Sequence, residues 1–370
     1  MEKNQISVFQ LVILLYVCRS FNLFTATLHD VGAGYGLVHL AAFPVAAVFQ
    51  LLLMLPAYFL MRATGRGLGE TAAYTMGRWG FWFPVLGVGY VLVTTSLTVY
   101  SMADFLVNVA FSGANAVFFI VTLVLAAGYA ATMGIEGISR AALILFVIFT
   151  LGLLLVFFGV AERMAPVNVR PFLDGNPVRS VLKGAWMITA RSSPAFLFAL
   201  LAPQVRGNGA GKGFVYYLLA TLALQEAVTF LISSVLGDLA AAKAFPLFTL
   251  TTIARISVFQ RMDAVHLGIW VAISFLRVSV SLWACRELLQ PFVPGGKTAA
   301  RRKWILPFLM IAVVCGAAAM TWNKQMLQKT LDLLSGGWPL AAVLFLSPLV
   351  MLVVGGIRKR LRKGVPYGTD

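Results

Sequence analysis

Charge is what this sequence has least of. Only 11% of its 370 residues are Asp, Glu, Lys or Arg, 60% are hydrophobic, and the mean hydropathy is +0.88. A soluble domain carries about 25% charged and about 45–50% apolar residues. Thirteen acids and 29 bases are too few to coat a soluble protein of this length, so much of the surface must face hydrocarbon. Cysteine and histidine are equally sparse, at three each. Cys18, Cys285 and Cys315 lie inside apolar runs with no CxxC or Cys/His ligand spacing, which argues against a disulfide framework or a zinc site. No metal and no cofactor are expected. GxSxG, HExxH, P-loop and paired-carboxylate patterns are missing too, so the chain is not expected to be an enzyme. The net charge of +16 comes without a basic stripe interleaved with aromatics outside the apolar runs, so nucleic acid is not an expected partner.

What the chain does have is long apolar runs. A membrane-spanning helix needs about 20 mostly apolar residues. Runs at 8–28, 36–61, 83–107, 115–133, 140–160, 185–203, 213–236, 263–285, 304–322 and 338–357 meet that need. They predict an all-α transmembrane domain over 1–357 lodged in a lipid bilayer, with a basic tail at 358–370. The first run begins near Val8 and is long enough to span, so no cleavable signal peptide is expected. Pro44 and Pro56 in the second run, Pro194 in the sixth and Pro348 in the tenth predict kinks.

Orientation follows from the bases. With the N-terminus inside, seventeen of the 29 fall on the inner side and nine on the outer, which predicts that both termini are cytoplasmic. The bases of 358–363 then anchor the inner side, or grip anionic lipid at about 1 kcal/mol each. On the outer side, 162–184 reads as a turn-rich loop, and 245–259 as a semi-apolar stretch too short to span, re-entrant or interfacial. Trp79, Trp82 and Trp304 stand beside basic residues as interfacial belt residues. His29, His39 and His266 fall near membrane boundaries and are expected at the surface or as caps.

Five ionisable groups fall well inside the runs, away from their ends: Arg19, Asp104, Arg191, Glu226 and Arg277. Such groups are costly in hydrocarbon and face a bundle interior, a partner or a polar cavity. Arg19-Ser20 and Arg191-Ser192 are 172 residues apart, and Asp104 and Arg277 are 173 apart. Ten helices therefore divide into two sets of five, about 8–160 and 185–357, with polar interruptions at matching places. Because five is odd, the second set must be inverted relative to the first. Inverted repeats place a binding site at the midplane, beside the broken first helix of each set. Those breaks are expected at Cys18-Arg-Ser-Phe-Asn22 and Thr189-Ala-Arg-Ser-Ser-Pro194, the second secured by proline.

The ligand-binding candidates are Arg19, Ser20, Phe21, Asn22, Thr189, Arg191, Ser192 and Ser193, with Tyr90 and Tyr100 as weaker ones. Opened helix ends and arginine forks suit a carboxylate. Alternatively the arginines pair with Asp104 or Glu226 and only hold helices together. Glu226 is read as a coupling site or as a hydrogen-bonded structural carboxyl.

Several segments carry a likeness. Ile6-Ser-Val-Phe-Gln10 opens the first run, and Gly69-Glu70 precedes Gly77-Arg78-Trp-Gly80. Asn168-Val-Arg-Pro-Phe-Leu-Asp-Gly175 leads to Val181-Leu-Lys-Gly-Ala185. Phe245-Pro246, Arg261-Met-Asp263, Ile269-Trp270 and Phe275-Leu-Arg-Val-Ser279 follow. In order and spacing these resemble the B subunit of spore germinant receptors, the GerAB-like family of the amino-acid/polyamine/organocation superfamily.

The resemblance implies a LeuT-like fold, a 5+5 inverted repeat with broken first and sixth helices. It implies a protein of the spore inner membrane in an endospore-forming bacterium. There it would bind a small germinant, often an amino acid, and act with A-type and C-type subunits. The chain departs from the family at the first break, where Cys18-Arg19-Ser20-Phe21-Asn22 replaces a glycine-containing segment. An arginine there narrows the pocket or demands an anionic group. An active permease of the same fold, or a structural subunit with a vestigial site, are the competing readings. Arg191→Ala is predicted to weaken the germinant response of spores while the protein stays in the membrane. An unchanged dose–response would remove Arg191 as a ligand contact, and loss of the protein would favour the pairing role.

Overall fold

Without water to bond to, a chain in hydrocarbon must satisfy its own N–H and C=O groups, which a helix does within one segment. The computed structural model describes residues 5–25, 37–169, 176–207, 209–256, 259–260, 263–292 and 299–363. His29, residues 170–175 of the loop motif, Arg261, Met262 and the tail beyond 363 lie outside the described residues.

From the N-terminus, α1 (Val8–Thr25) and α2 (Leu37–Thr64) lead to short α3 (Leu68–Met76), then α4 (Trp82–Phe105), α5 (Ala116–Thr132) and α6 (Gly134–Val160). The second half runs α7 (Pro177–Ala190), α8 (Ser193–Leu201), α9 (Ala210–Leu236), α10 (Leu239–Ala242), α11 (Pro246–Ile253), α12 (Asp263–Leu289), α13 (Ala299–Trp322) and α14 (Lys324–Ser335). Last come α15 (Trp338–Ala341), a widened π turn at Ala342–Leu346, and α16 (Ser347–Lys363). A two-residue antiparallel pair, Arg255–Ile256 with Phe259–Gln260, joins α11 to α12.

Among the described residues, eight helical segments are long and apolar enough to cross a membrane, and α7 and α8 make a ninth bent by 48°. The apolar α5 is shorter. Together they occupy the places of the ten predicted runs. Successive crossings alternate in direction, so one face of the bundle holds the start of α1 (the N-terminal face) and the other the α6–α7 connection (the distal face).

Contacts come in pairs that an exchange of the two halves would relate. The packing of α1 on α9 is matched by α7 on α2, and that of α5 on α12 by α13 on α4. At the N-terminal face, Ile6 N–H donates to the Gln204 carbonyl and Arg206 N–H to the Ile6 carbonyl, both at 3.0 Å, pinning the chain start beside the end of α8. At the distal face, Asn168 Nδ2 and Ala165 N–H both donate to the Ser234 carbonyl at 3.0 Å.

The two expected breaks part company. Helix α1 is continuous through Cys18–Asn22, which corrects the expectation of a broken first helix. That stretch has neither glycine nor proline, and Ser20 Oγ donates to the Tyr16 carbonyl one turn back, an arrangement helices tolerate. The sixth crossing does break, at Arg191–Ser192. Pro194 has no N–H to continue α7, but sits comfortably in the first turn of α8, where that donor is not needed. By contrast, Pro44 and Pro56 stay inside an uninterrupted α2. Ahead of Pro348 the helix widens instead, and Ser347 Oγ donates to the Ala342 carbonyl at 2.6 Å.

Helices α3 and α14 lie between the apolar runs. Both are short, and α14 carries Lys324, Lys329 and Asp332 with no apolar run, its start capped by Asn323 Oδ1 accepting from the Gln325 and Met326 N–H groups. His266 is likewise not a surface cap. It is buried in an aromatic cluster with Phe24, Phe105, Phe248 and Trp270, because α11 folds back over the first turn of α12. His39 is buried as well.

Without a hydrophobic force between helices in lipid, small residues allow close crossings. A Cβ on Gly87 of α4 would stand 2.8 Å from Leu288 Cδ2 of α12 and 3.1 Å from the Phe196 ring of α8. Gly87→Val is therefore expected to lower stability by about 1–3 kcal/mol through overpacking. The melting temperature of the purified protein in detergent measures this, and an unchanged value would refute it.

Candidate functional site

Where α7 stops, its last carbonyls have no following turn to supply donors. Arg191 and Ser192 N–H groups meet the Met187 and Thr189 carbonyls, and α1 supplies donors to those of Ile188 and Arg191. Arg19 Nη1 donates to the Arg191 carbonyl at 3.1 Å and Nη2 to the Ile188 carbonyl at 3.3 Å. Asn22, one turn further along α1, donates from Nδ2 to the same Arg191 carbonyl at 3.0 Å. The two interruptions matched in sequence thus meet in space.

Arg277 enters from the middle of α12. Its Nη1 donates to Asn22 Oδ1 at 2.8 Å and to the Cys18 carbonyl at 3.3 Å, and its Nη2 to Ser193 Oγ at 2.9 Å. The guanidinium also lies 4.9 Å above the centre of the Phe21 ring, a cation–π contact. Asn22 is therefore the node: its amide N–H₂ holds the end of α7 while its amide oxygen receives Arg277. Arg19 and Arg277 are buried, at 3% and 6% exposure. Among the described residues neither stands within ion-pairing distance of a carboxylate. The expected alternative, pairing with Asp104 or Glu226, is not what either side chain does: both bond to carbonyls and neutral side chains.

Above this layer, toward the distal face, lies a cavity of about 200 Å³. Of the sequence candidates, Arg19, Phe21, Asn22, Arg191, Ser193 and Arg277 line it, as does Tyr90. Six candidates do not. Ser20 and Ser192 spend their hydroxyls on carbonyls one turn back, and Thr189 Oγ1 reaches the carbonyls of Ala185 and of Ala46 in α2. Tyr100 turns its hydroxyl to Asp104 Oδ1 at 3.5 Å, near the distal end of α4. Asp104 and Glu226 also stay off the wall. The equal offsets of Asp104 and Arg277 do not mark equivalent places, since Arg277 lies mid-helix and Asp104 one residue from the end of α4. The inserted segment between α9 and α12 lengthens the second half and shifts the register.

Other wall residues escaped the sequence reading. Thr94, Thr98 and Ser101 form a polar stripe at i, i+4 and i+7 along α4, and Gln225 and Thr229 a shorter one on α9. Helical spacing of small polar residues within apolar runs is the signal that would have found them. Leu331 and Leu334 of α14 roof the cavity, and His39 joins from α2. No local signal marks α14 as a roof. Among the described residues, no group of three His, Cys, Asp or Glu side chains stands close enough to hold a metal ion.

Paired sets of crossings around a central cavity, with the sixth crossing broken beside it, define a polytopic membrane protein of the LeuT-like transporter fold. Solved structures with this fold are similar over nearly the whole chain. A nucleobase-cation-symport-1 family transporter, closed with bromovinylhydantoin bound, superposes with a TM-score of 0.65 at 12% identity, covering 100% of this chain and 97% of its own. A Na⁺-coupled sialic acid symporter in a substrate-bound outward-open state gives 0.56 at 13% identity, covering 92% and 79%. The manganese transporter of Eremococcus coleocola gives 0.53 at 16% identity, covering 93% and 78%. No curated protein matches the sequence. The spore germination protein family, the spore permeases, matches residues 44–322, and the chain belongs to that family.

Replacing Asn22 by the similarly sized Leu removes both bonds of the node and leaves Arg277 short of its nearest acceptor. Asn22→Leu is expected to cost about 1–3 kcal/mol, the usual penalty for an orphaned buried polar group, seen as a lower melting temperature. Equal melting of variant and wild type would mean the node bears no load.

Proposed function

We propose that this protein is the ligand-binding membrane subunit of a spore germinant receptor. It takes a small germinant into the cavity beside the α7–α8 break and starts germination together with A-type and C-type partner subunits. The observation that carries this reading is the cavity itself: a space inside the bundle walled by α1, α4, α9 and the broken sixth crossing, in a chain of the spore germination family. Its volume of about 200 Å³ lies below the roughly 300–1,000 Å³ of sites for drug-sized ligands, which favours a metabolite the size of an amino acid. The wall residues that touch such a ligand are Arg19, Phe21, Asn22, Arg191 and Ser193, with Arg277 holding the layer beneath. The protein sits in the spore inner membrane with both termini cytoplasmic, in keeping with the excess of bases on the N-terminal face.

A ligand held at the break has leverage on the bundle. Arg19 and Asn22 hold the end of α7, and Arg277 holds the start of α8, so a ligand that competes for either arginine shifts the balance between the two half-helices. Such a shift at a two-state element is what a partner subunit reads. The fold is shared with transporters, so a proton- or ion-coupled amino-acid permease is the second reading.

Val228 is buried on the cavity wall. Val228→Phe should fill the space and move the germination dose–response of spores at least about tenfold toward higher germinant, the cost of excluding a bound ligand by roughly 1.4 kcal/mol or more, with the protein still present in the membrane. A screen of amino acids, nucleosides and sugars on spores lacking the gene names the germinant. Normal germination of the Val228→Phe spores would sink the cavity as the sensing site. Uptake of a labelled amino acid by liposomes holding this chain alone would replace the receptor with the permease.

A further inference from the structure

We infer that the cavity selects a small monocarboxylate with an apolar tail, and discriminates against ligands that bring an ammonium group; this rests on the cavity being the germinant site. The charges on its wall are of one sign. Arg19 and Arg277 are buried cations whose acceptors are all neutral: the carbonyls of Cys18, Ile188 and Arg191, Asn22 Oδ1 and Ser193 Oγ. Arg191 adds a third guanidinium to the wall. Among the described residues that line the space there is neither Asp nor Glu. Neutral acceptors solvate a buried cation without balancing it, and an isolated charge away from water is costly. A mobile anion in the cavity completes the balance.

The donors are in place for one. The bonds to neutral acceptors leave N–H groups of both guanidinium forks uncommitted, and the forks suit the two oxygens of a carboxylate. Tyr90 lines the same space, and among the described residues its buried hydroxyl has no hydrogen-bond partner. Its ring is held edge-on to Phe196 at 5.8 Å, so the hydroxyl is a fixed donor awaiting an acceptor. Facing these polar groups, Phe43, Leu97, Val228 and Ile232 form an apolar wall suited to a short hydrocarbon tail. An ammonium placed among them meets like charge and, among the described residues, no carboxylate.

Four compounds of one size separate the possibilities: butyrate, butyramide, butylamine and zwitterionic 2-aminobutyrate, each titrated against the melting temperature of the full-length protein in nanodiscs without chloride. Butyrate is expected to raise it saturably, with butyramide and butylamine without effect and 2-aminobutyrate at least about tenfold weaker, as one unpaired buried charge demands. Arg19→Gln should weaken butyrate about tenfold or more, the share of one charge-assisted bond. Should that variant fail to fold, Tyr90→Phe keeps the ring and is expected to weaken butyrate several-fold by removing one donor. Butylamine binding, 2-aminobutyrate matching butyrate, butyrate binding indifferent to both substitutions, or no shift with any compound each overturn the inference. Binding of 2-aminobutyrate alone leaves the cavity as the germinant site, whereas normal germination of Val228→Phe spores removes the site itself.

Discussion

A helix that stops inside a membrane leaves carbonyl oxygens without donors, and the centre of this protein is built around answering those of α7. Hydrocarbon offers no donors, and side chains of neighbouring crossings supply them here. Arg19 and Asn22 supply them from α1, and Arg277 ties α12 to the same node through the amide oxygen of Asn22. Three crossings distant in sequence are thereby fixed relative to one another at the depth of the break. The cavity exists because the half-helices diverge by 48° there, and its polar floor exists because that divergence needed donors.

The same constraint accounts for the asymmetry between the halves. If both first helices of an inverted repeat were open, each would need foreign donors. Here α1 remains a complete helix and becomes the donor, while α7–α8 is the acceptor. Arginine at position 19 fits the donor role: its planar fork reaches two carbonyls at once, which a lysine ammonium on a flexible stem would do less well. Near the distal face an aromatic cluster with Phe105 and Trp270 3.8 Å apart, centroid to centroid, packs α1, α4, α11 and α12 together, and α14 roofs the cavity. The polar layer has a dense apolar frame on that side.

Much of this could be read from the chain alone, for physical reasons that differ by feature. Crossings were legible because hydrocarbon demands long apolar runs, and the break at Arg191-Ser192 because Pro194 removes a donor. Arg19, Arg191 and Arg277 stood out because ionisable groups in such runs are rare. Thr94 and Thr98 went unseen because hydroxyls that bond back to their own helix disturb an apolar run very little. His39 and His266 were misjudged because depth along a run does not say which side of a helix is covered. The pairing of Asp104 with Arg277 failed since a constant offset assumes loops of equal length.

Composition by itself determined that this chain lives in a bilayer as a set of helices, because too few charges exist to clothe it in water. Spacing by itself singled out the two interruptions, because polar groups in hydrocarbon must have partners. Which partners they took was decided only by the tertiary structure. Arg19 was as free by sequence to pair with a carboxylate as to cap a neighbouring helix, and the choice was made when α7 ended beside it and presented its terminal carbonyls. The scarcity of charge marked the arginines, and the packing of α1 against the broken crossing gave them their work.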